Sequence, residues 1–420
     1  MHEKSILSNG LRVFTSAMPH TRSVSMMVCL RSAPRYERDS EAGISHFVEH
    51  LCFKGTKRRP SSTELCETIE RVGGIINGGT DKESTVYWIK VARSNFPLAL
   101  DVLSDMVQHP LFAQNDVEKE RQIILEEIKM TNDSPQQRVD LLIDELIWPD
   151  QPLGRDIAGS VDTVRSLSLE TMAGYWKRHY TADNAVVSVA GDVEHAEVVG
   201  QLADGFAHWG GEGKRDGTAA QNQQEAPRFH LEYRDTEQVH LALAVRGLSA
   251  VDPNRFALDL VNVALGEGMS SRLFVGVREK RGLAYDVHSY ISRFLDSGAM
   301  IIYAGVDPSR VEDALLAVLD ELARLREPLP EAELNKAKEM IKGHLLLGLE
   351  DSRAVASWVG RQELLLGRIL TVDDIIAAVD AVTSADTGRV AQELLVSEKL
   401  SLAVVGPIKE ESRISKLLHL

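Results

Sequence analysis

From Val24 the segment VSMMVCLRSAPRYERDSEAGISHFVEHLCF begins with the alternating positions of a strand and, past a turn, passes into a helical pattern. The same progression begins again at Val239, 215 residues later, in VHLALAVRGLSAVDPNRFALDLVNVALGEG. Later landmarks keep almost the same offset. Gly154-Arg155 and Gly367-Arg368 lie 213 apart, and the strands that end near Gly191 and Gly406 lie 215 apart. A repeat of this length exceeds the roughly 20 to 50 residues of a solenoid unit, so the pattern predicts two copies of one domain. Each copy runs from a strand pair to a helix, further strands, two long helices and a closing strand. Grouped helices and short-turned strands predict an α+β fold of two homologous α/β sandwich domains, not a doubly wound parallel sheet.

The stretch Gly210 to Arg228, rich in Gly, Gln and charge, lacks apolar periodicity and reads as a linker. The expected domains are therefore 1–209 and 229–420, with 210–228 between them. A helix is predicted around Asp116 to Met130, where Val117, Ile124 and Ile128 recur at helical spacing. Met1 to Ile6 alternate as a strand, with no basic and then apolar leader, so the mature chain is expected to start near Met1. No run approaches about 18 uninterrupted apolar residues, and no membrane span is expected.

Composition narrows the function. With 44 % hydrophobic and 26 % charged residues the chain is an ordinary globular protein. The net charge of −15 argues against a nucleic-acid binder, which needs a basic face to neutralise phosphates, and favours basic peptides as ligands. Cys29, Cys52 and Cys66 are odd in number and lack metal-site spacing. They read as reduced thiols, which places the chain in the cytoplasm.

The segment GISHFVEHLCFKGT holds His46, Glu49 and His50 on an apolar helix. Positions i and i+4 share a helix face, so the two imidazoles can bind one metal ion with the Glu49 carboxylate beside them. Composition alone produces this spacing about 0.06 times in such a chain. It is the inverted form of the His-Glu-x-x-His zinc motif. A catalytic zinc needs a third protein ligand and an open position for water. The helix DVEKERQIILEEIKM offers Glu120 and Glu127, seven residues apart and on one face, with Glu126 turned about 100° away.

With these elements the chain resembles the pitrilysin and mitochondrial-processing-peptidase family of zinc metallopeptidases, in particular its short bacterial members. The 76 residues between His50 and Glu127 match that family's spacing. The resemblance implies zinc, one ion per chain, on His46, His50 and Glu127, with Glu49 as general base and Glu120 supporting the site. In GGIINGGTDKESTVYW it implies that Asn77 bonds the substrate backbone beside a strand edge that pairs with the peptide, in a loop that Gly78 makes more flexible. In SSRLFVGVREKRGLAYDVHSY it implies that Arg278 and Tyr285 hold the substrate carbonyl and the oxyanion. It further implies a clamshell of two halves around a peptide chamber, an endopeptidase acting on unfolded or extended peptides, and a homodimer or a heteromer with a related chain. The alternative is a noncatalytic peptide-binding or assembly subunit of the same family. The offset of 215 puts Val261, Ala264 and Leu265 opposite His46, Glu49 and His50, so only the first copy is expected to hold metal.

Overall fold

The computed structural model describes residues 2–211, 213 and 217–420. It divides into two compact units. The first comprises Met1–Lys129, Asp156–Thr218 and Leu347–Thr371; the second comprises Met130–Arg155, Ala219–Leu346 and Val372–Leu420.

The first unit is built on a six-stranded sheet of β1 (His2–Ile6), β2 (Arg12–Ala17), β3 (Ser23–Leu30), β4 (Ile75–Thr80), β5 (Thr85–Ala92) and β6 (Ala185–Gly191), in the order β1-β2-β6-β3-β5-β4. The second has β7 (Arg228–Tyr233), β8 (Val239–Arg246), β9 (Ala284–Arg293), β10 (Gly298–Val306) and β11 (Leu400–Gly406), in the order β7-β11-β8-β10-β9. One pair in each sheet is parallel, β2 with β6 and β7 with β11, and all other pairs are antiparallel. Strand for strand the second sheet repeats the first without β1, which is the duplication read from the sequence.

Sequence repeats and compact units nevertheless differ. Helix Pro135–Ile147, from the first repeat, lies on the second sheet, where Val139, Leu142, Ile143 and Ile147 pack against Ala242, Ala244, Ala299 and Ala403. Helix Ser352–Leu366, from the second repeat, lies on the first sheet, where Ala356, Val359 and Leu364 pack against Phe14, Met27, Cys29 and Val186. Each repeat has given its equivalent helix to the other unit. Apolar periodicity marks the face that a helix buries but not the sheet it is buried against, which is why the domains expected at 1–209 and 229–420 do not show the exchange.

Small residues let the exchanged helices lie close to the strands. A Cβ at Gly360 would come within 2.8 Å of Cys29 Sγ and 3.2 Å of Ser188 Cβ. With helices on both faces, the central strands β3 and β8 are buried almost throughout and read as long apolar runs. Cys29 and Cys52 are buried free thiols, each pushed up to about 12 by burial, and Cys66 is free and half-buried.

The last carbonyls of each exchanged helix meet a matched pair of arginines. Arg31 Nε donates to Leu364 O at 3.0 Å, and Arg12 Nη1 to Glu363 O at 3.4 Å. In the second unit Arg246 donates to Ile147 O, and Arg228 Nη1 to Leu146 O at 2.6 Å. Arg12 and Arg228 open the equivalent strands β2 and β7, and Arg31 and Arg246 stand at the ends of β3 and β8, so the clamp is part of the repeat. Cations there meet both the unpaired carbonyls and the negative end of the helix dipole.

The expected linker is tied to both units. Gly213 N–H donates to the Asp183 carboxylate at 3.0 Å and Thr218 N–H to Arg35 O at 3.2 Å, whereas Ala220 N–H donates to Asp296 at 2.9 Å. Its last residue, Arg228, opens β7. No helix among the described residues is long and apolar enough to cross a membrane.

Removing Arg31 leaves the carbonyl of buried Leu364 without its charged donor. Arg31→Met is expected to lower stability by about 1.5–3 kcal/mol, the range for a hydrogen bond to a charged group. A thermal unfolding scan of the variant that matches the wild type would remove the clamp from the account of the fold.

Candidate metal centre

Helix Ile44–Cys52 carries the motif and buries Ile44, Phe47, Val48 and Leu51 in the first unit's core. Its entry is fixed by Gly43, which has φ +90° and lies so close to Ala158 that a Cβ would stand 2.3 Å from the carbonyl oxygen. The buried Glu37 carboxylate covers this end of the helix. It accepts from Gly43 N–H at 2.9 Å, from Ser45 N–H at 2.8 Å and from the Ser45 hydroxyl. A carboxylate there satisfies orphan amides and suits the positive end of the dipole. Sequence reasoning missed Glu37 because capping signals are sought at the residue before the helix, and that residue is a glycine.

His46 and His50 point their Nε2 atoms at one another, 3.2 Å apart. Helix Gln114–Asp133 brings Glu127 Oε2 to 3.8 Å from His46 Nε2 and 3.9 Å from His50 Nε2. Two nitrogens at tetrahedral positions about 2.05 Å from zinc stand roughly 3.3 Å apart, so the imidazoles already have the separation of co-ligands. The carboxylate has to close by about half an ångström to reach the same standard, and its side chain is 41 % exposed and can turn. Two imidazoles and one carboxylate form the donor set of a catalytic zinc site, so the residues fit the metal. Among the described residues His46, His50 and Glu127 are the group that could hold an ion. Val261, Ala264 and Leu265, at the matching positions of the second repeat, are core residues.

The surroundings set the state of each candidate ligand. Glu120, buried on the same helix as Glu127, places Oε2 3.1 Å from His50 Nδ1 and Oε1 2.7 Å from Lys54 Nζ. A carboxylate can only accept, so His50 carries its proton on Nδ1 and turns the Nε2 lone pair toward the cluster. Burial acts to lower the His50 pKa, but the hydrogen bond to Glu120 and the charges of Glu127 and Glu49 outweigh it and raise it. His46 has no such partner. Burial, followed by the charge of His50, lowers it to about 4 and keeps it neutral, with Nδ1 buried and unpartnered among the described residues. For Glu120 burial acts upward and is outweighed by hydrogen bonds to His50 and Lys54, so its carboxyl is held below the usual range.

Glu49 lies one residue before His50 and is buried. Burial pushes its pKa up, partly offset by a hydrogen bond from Thr80 and the charge of His50. Thr80 Oγ1 donates to Glu49 Oε2 at 2.8 Å. Thr80 ends β4, whose other edge has no partner strand among the described residues. Asn77 lies on the same strand, exposed, with its Oδ1 accepting from Gly78 N–H at 2.7 Å. Gly78 is not in a flexible loop. It pairs with Tyr87 in the β4–β5 register, and a Cβ there would press on the Phe53 ring at 3.0 Å, so close packing explains the glycine.

Glu126 is exposed and paired with Lys129, away from the cluster. Arg278 and Tyr285 belong to the second unit, where they stand side by side with the guanidinium 5.4 Å from the tyrosine ring centre. The guanidinium also stacks on Phe274 at 4.8 Å. Tyr285 lies on the edge strand β9 and is 77 % exposed.

Comparison with known proteins places the chain in a family. Residues 12–161 match the family model described as insulinase, peptidase family M16, and residues 166–341 match the peptidase M16 inactive domain. The chain is 39 % identical over 418 residues to a protein of Streptomyces coelicolor named an uncharacterized zinc protease, covering 97 % of this chain and 90 % of that protein. A protein of the same description from Bacillus subtilis is 36 % identical over 412 residues, covering 97 % and 98 %. Among solved structures, a protease from Helicobacter pylori aligns with a TM-score of 0.91 at 24 % identity, over 96 % of this chain and 99 % of that one. A chain of Complex III from Candida albicans aligns with a TM-score of 0.83 at 18 % identity, over the full length of both. These two likenesses show the fold alone. At such identity to zinc proteases across nearly its whole length, and with both domain models matched in order, the chain belongs to the pitrilysin-like peptidase family M16.

Proposed function

We propose that this chain is a zinc metalloendopeptidase that hydrolyses unfolded or extended peptides. The observation that carries the reading is the convergence of His46, His50 and Glu127 on one point beside a buried Glu49, whose Oε2 is tied to the end of a free-edged strand. When bound by these three residues, zinc supplies a Lewis acid that acidifies water and polarises a carbonyl. Glu49, with its raised pKa, is the general base. It takes a proton from the attacking water and delivers it to the leaving amine. Thr80 holds one of its oxygens and leaves the other for the proton.

The outer edge of β4 offers main-chain groups to which an extended peptide can add as a further strand, and Asn77 is exposed there to bond the peptide backbone. Affinity drawn from main-chain pairing selects for extended segments, and the net charge of −15 biases selection toward basic ones. The proposal includes the roles given by family resemblance to Tyr285, as donor to the oxyanion, and to Arg278, on the substrate carbonyl. It also includes a homodimer as the assembly. A monomer mass in sedimentation equilibrium at micromolar protein would remove that last part.

Glu49→Gln is expected to bind zinc like the wild type and to lose peptide cleavage by about 10²–10⁴-fold. A zinc-loaded wild type that cleaves no unfolded peptide would instead support the noncatalytic subunit, and residual full activity in the variant would sink Glu49 as base. Tyr285→Phe is expected to lower kcat by about 10²–10³-fold with zinc content unchanged. A survey of cleaved peptides in which acidic segments are preferred would overturn the charge bias.

A further inference from the structure

His46, His50 and Lys54 are spaced four residues apart. The motif helix ends at Cys52 in a tight turn, with Phe53 N–H donating to His50 O and Lys54 N–H to Leu51 O, both three residues back and at 3.1 Å. That turn leaves Lys54 on the side of the histidines, where its side chain and His50 meet the same Glu120 carboxylate. The turn stops at Gly55, which has φ +126° and would place a Cβ 2.7 Å from Arg59 O. Beyond it the loop is pinned to a buried carboxylate. Thr56 Oγ1 donates to Asp105 Oδ2 at 2.6 Å and Arg59 Nη1 to the same oxygen at 2.8 Å. Gly55 O also accepts from Leu111 N–H at 3.1 Å. The loop therefore fixes the stem from which the Lys54 side chain leaves.

That side chain reaches Glu120. Its ammonium lies 2.7 Å from Oε1, while Oε2 of the same carboxylate faces His50 Nδ1 at 3.1 Å. The Glu120 side chain is only 4 % exposed. An exposed ion pair contributes little, but this one has a buried partner, and a buried carboxylate with one oxygen lacking a donor is costly and free to turn. With both oxygens engaged the carboxylate has one orientation. It then fixes the plane of the His50 ring, and so the direction in which Nε2 points.

We propose that Lys54 is a positioning residue for the metal ligand His50, acting through Glu120. The inference rests on the zinc-site reading given above. Its content is a chain of three side chains, from ammonium to carboxylate to imidazole, in which the outermost member sets zinc affinity without touching the metal. Glu120 alone would be a carboxylate behind a histidine; Lys54 makes it a carboxylate held in place.

The test is a double-mutant cycle read as zinc affinity by competition with a chromogenic chelator, on the full chain and below the unfolding midpoint of every metal-free variant. Lys54→Met is expected to weaken zinc binding by about 10-fold, the lower end for loss of an outer partner of a metal ligand. Glu120→Gln is expected to weaken it at least as much, and Lys54→Met added to Glu120→Gln should cost no more than Glu120→Gln alone. Lys54→Arg, which keeps the charge, should recover most of the loss. A purely structural lysine would lower the unfolding midpoint and leave zinc affinity of the folded chain unchanged. An unchanged affinity in Lys54→Met, or an equal loss in both backgrounds, overturns the proposal, and a wild type that binds no zinc overturns it together with the site. Because affinity is measured without substrate, failure of the peptidase reading appears in a different assay.

Discussion

The carbonyls that end a buried helix need donors, and in both units they find arginines of the sheet on which the helix lies. That contact holds the exchanged helices, and the exchanged helices bury the second face of each sheet. Once both faces are covered, β3 and β8 can be apolar along almost their whole length. A sheet sealed in this way is a rigid floor. On its other face, in the first unit, it carries the core into which the motif helix is packed. The seating of the helix that carries His46 and His50 thus rests on a sheet whose far face is closed by a helix that Arg12 and Arg31 hold.

The candidate ligands are surrounded by buried carboxylates, and each of these has been given its donors. Glu37 receives two amides and a hydroxyl at the start of the motif helix, Glu120 an imidazole and an ammonium, and Glu49 a threonine hydroxyl. Glu127 differs in being partly exposed and lying wider of the imidazoles than a co-ligand would. Rigidity is therefore concentrated in the histidines and their support. Unpaired, any of these carboxylates would cost several kcal/mol of desolvation and would adopt whichever rotamer finds a partner. Paired, they convert folding energy into direction.

Much of this was legible in the sequence. The inverted motif, its apolar neighbours and the interval of 76 residues to Glu127 pointed to three candidate ligands, and the structure brings their donor atoms within 4.8 Å of one another. The duplication was equally plain, because strand alternation and helical spacing survive even where side chains have diverged. The exchange of helices was not legible, since Val139, Leu142, Ile143 and Ile147 announce a buried face and say nothing of which sheet will bury it. Glu37, Thr80 and Lys54 were missed for a related reason. Their partners are set by the meeting of elements distant in the chain, or by a helical turn that runs past the motif, and a single charged or hydroxyl residue carries no periodic signal. Gly78 was misread for the same cause, its neighbour being the Phe53 ring and not the solvent.

The exchange also changes what the linker means. Where two copies of a domain are merely strung together, a cut between them yields two self-sufficient pieces. Here a cut near residue 217 would leave each piece holding a helix whose seat is on the other, and each sheet lacking the helix that covers it. The fragments would be complementary, like the protomers of a domain-swapped dimer that happen to share one chain. Duplication in this protein has produced mutual dependence between the copies, because neither sheet is covered on both faces without a helix from the other repeat.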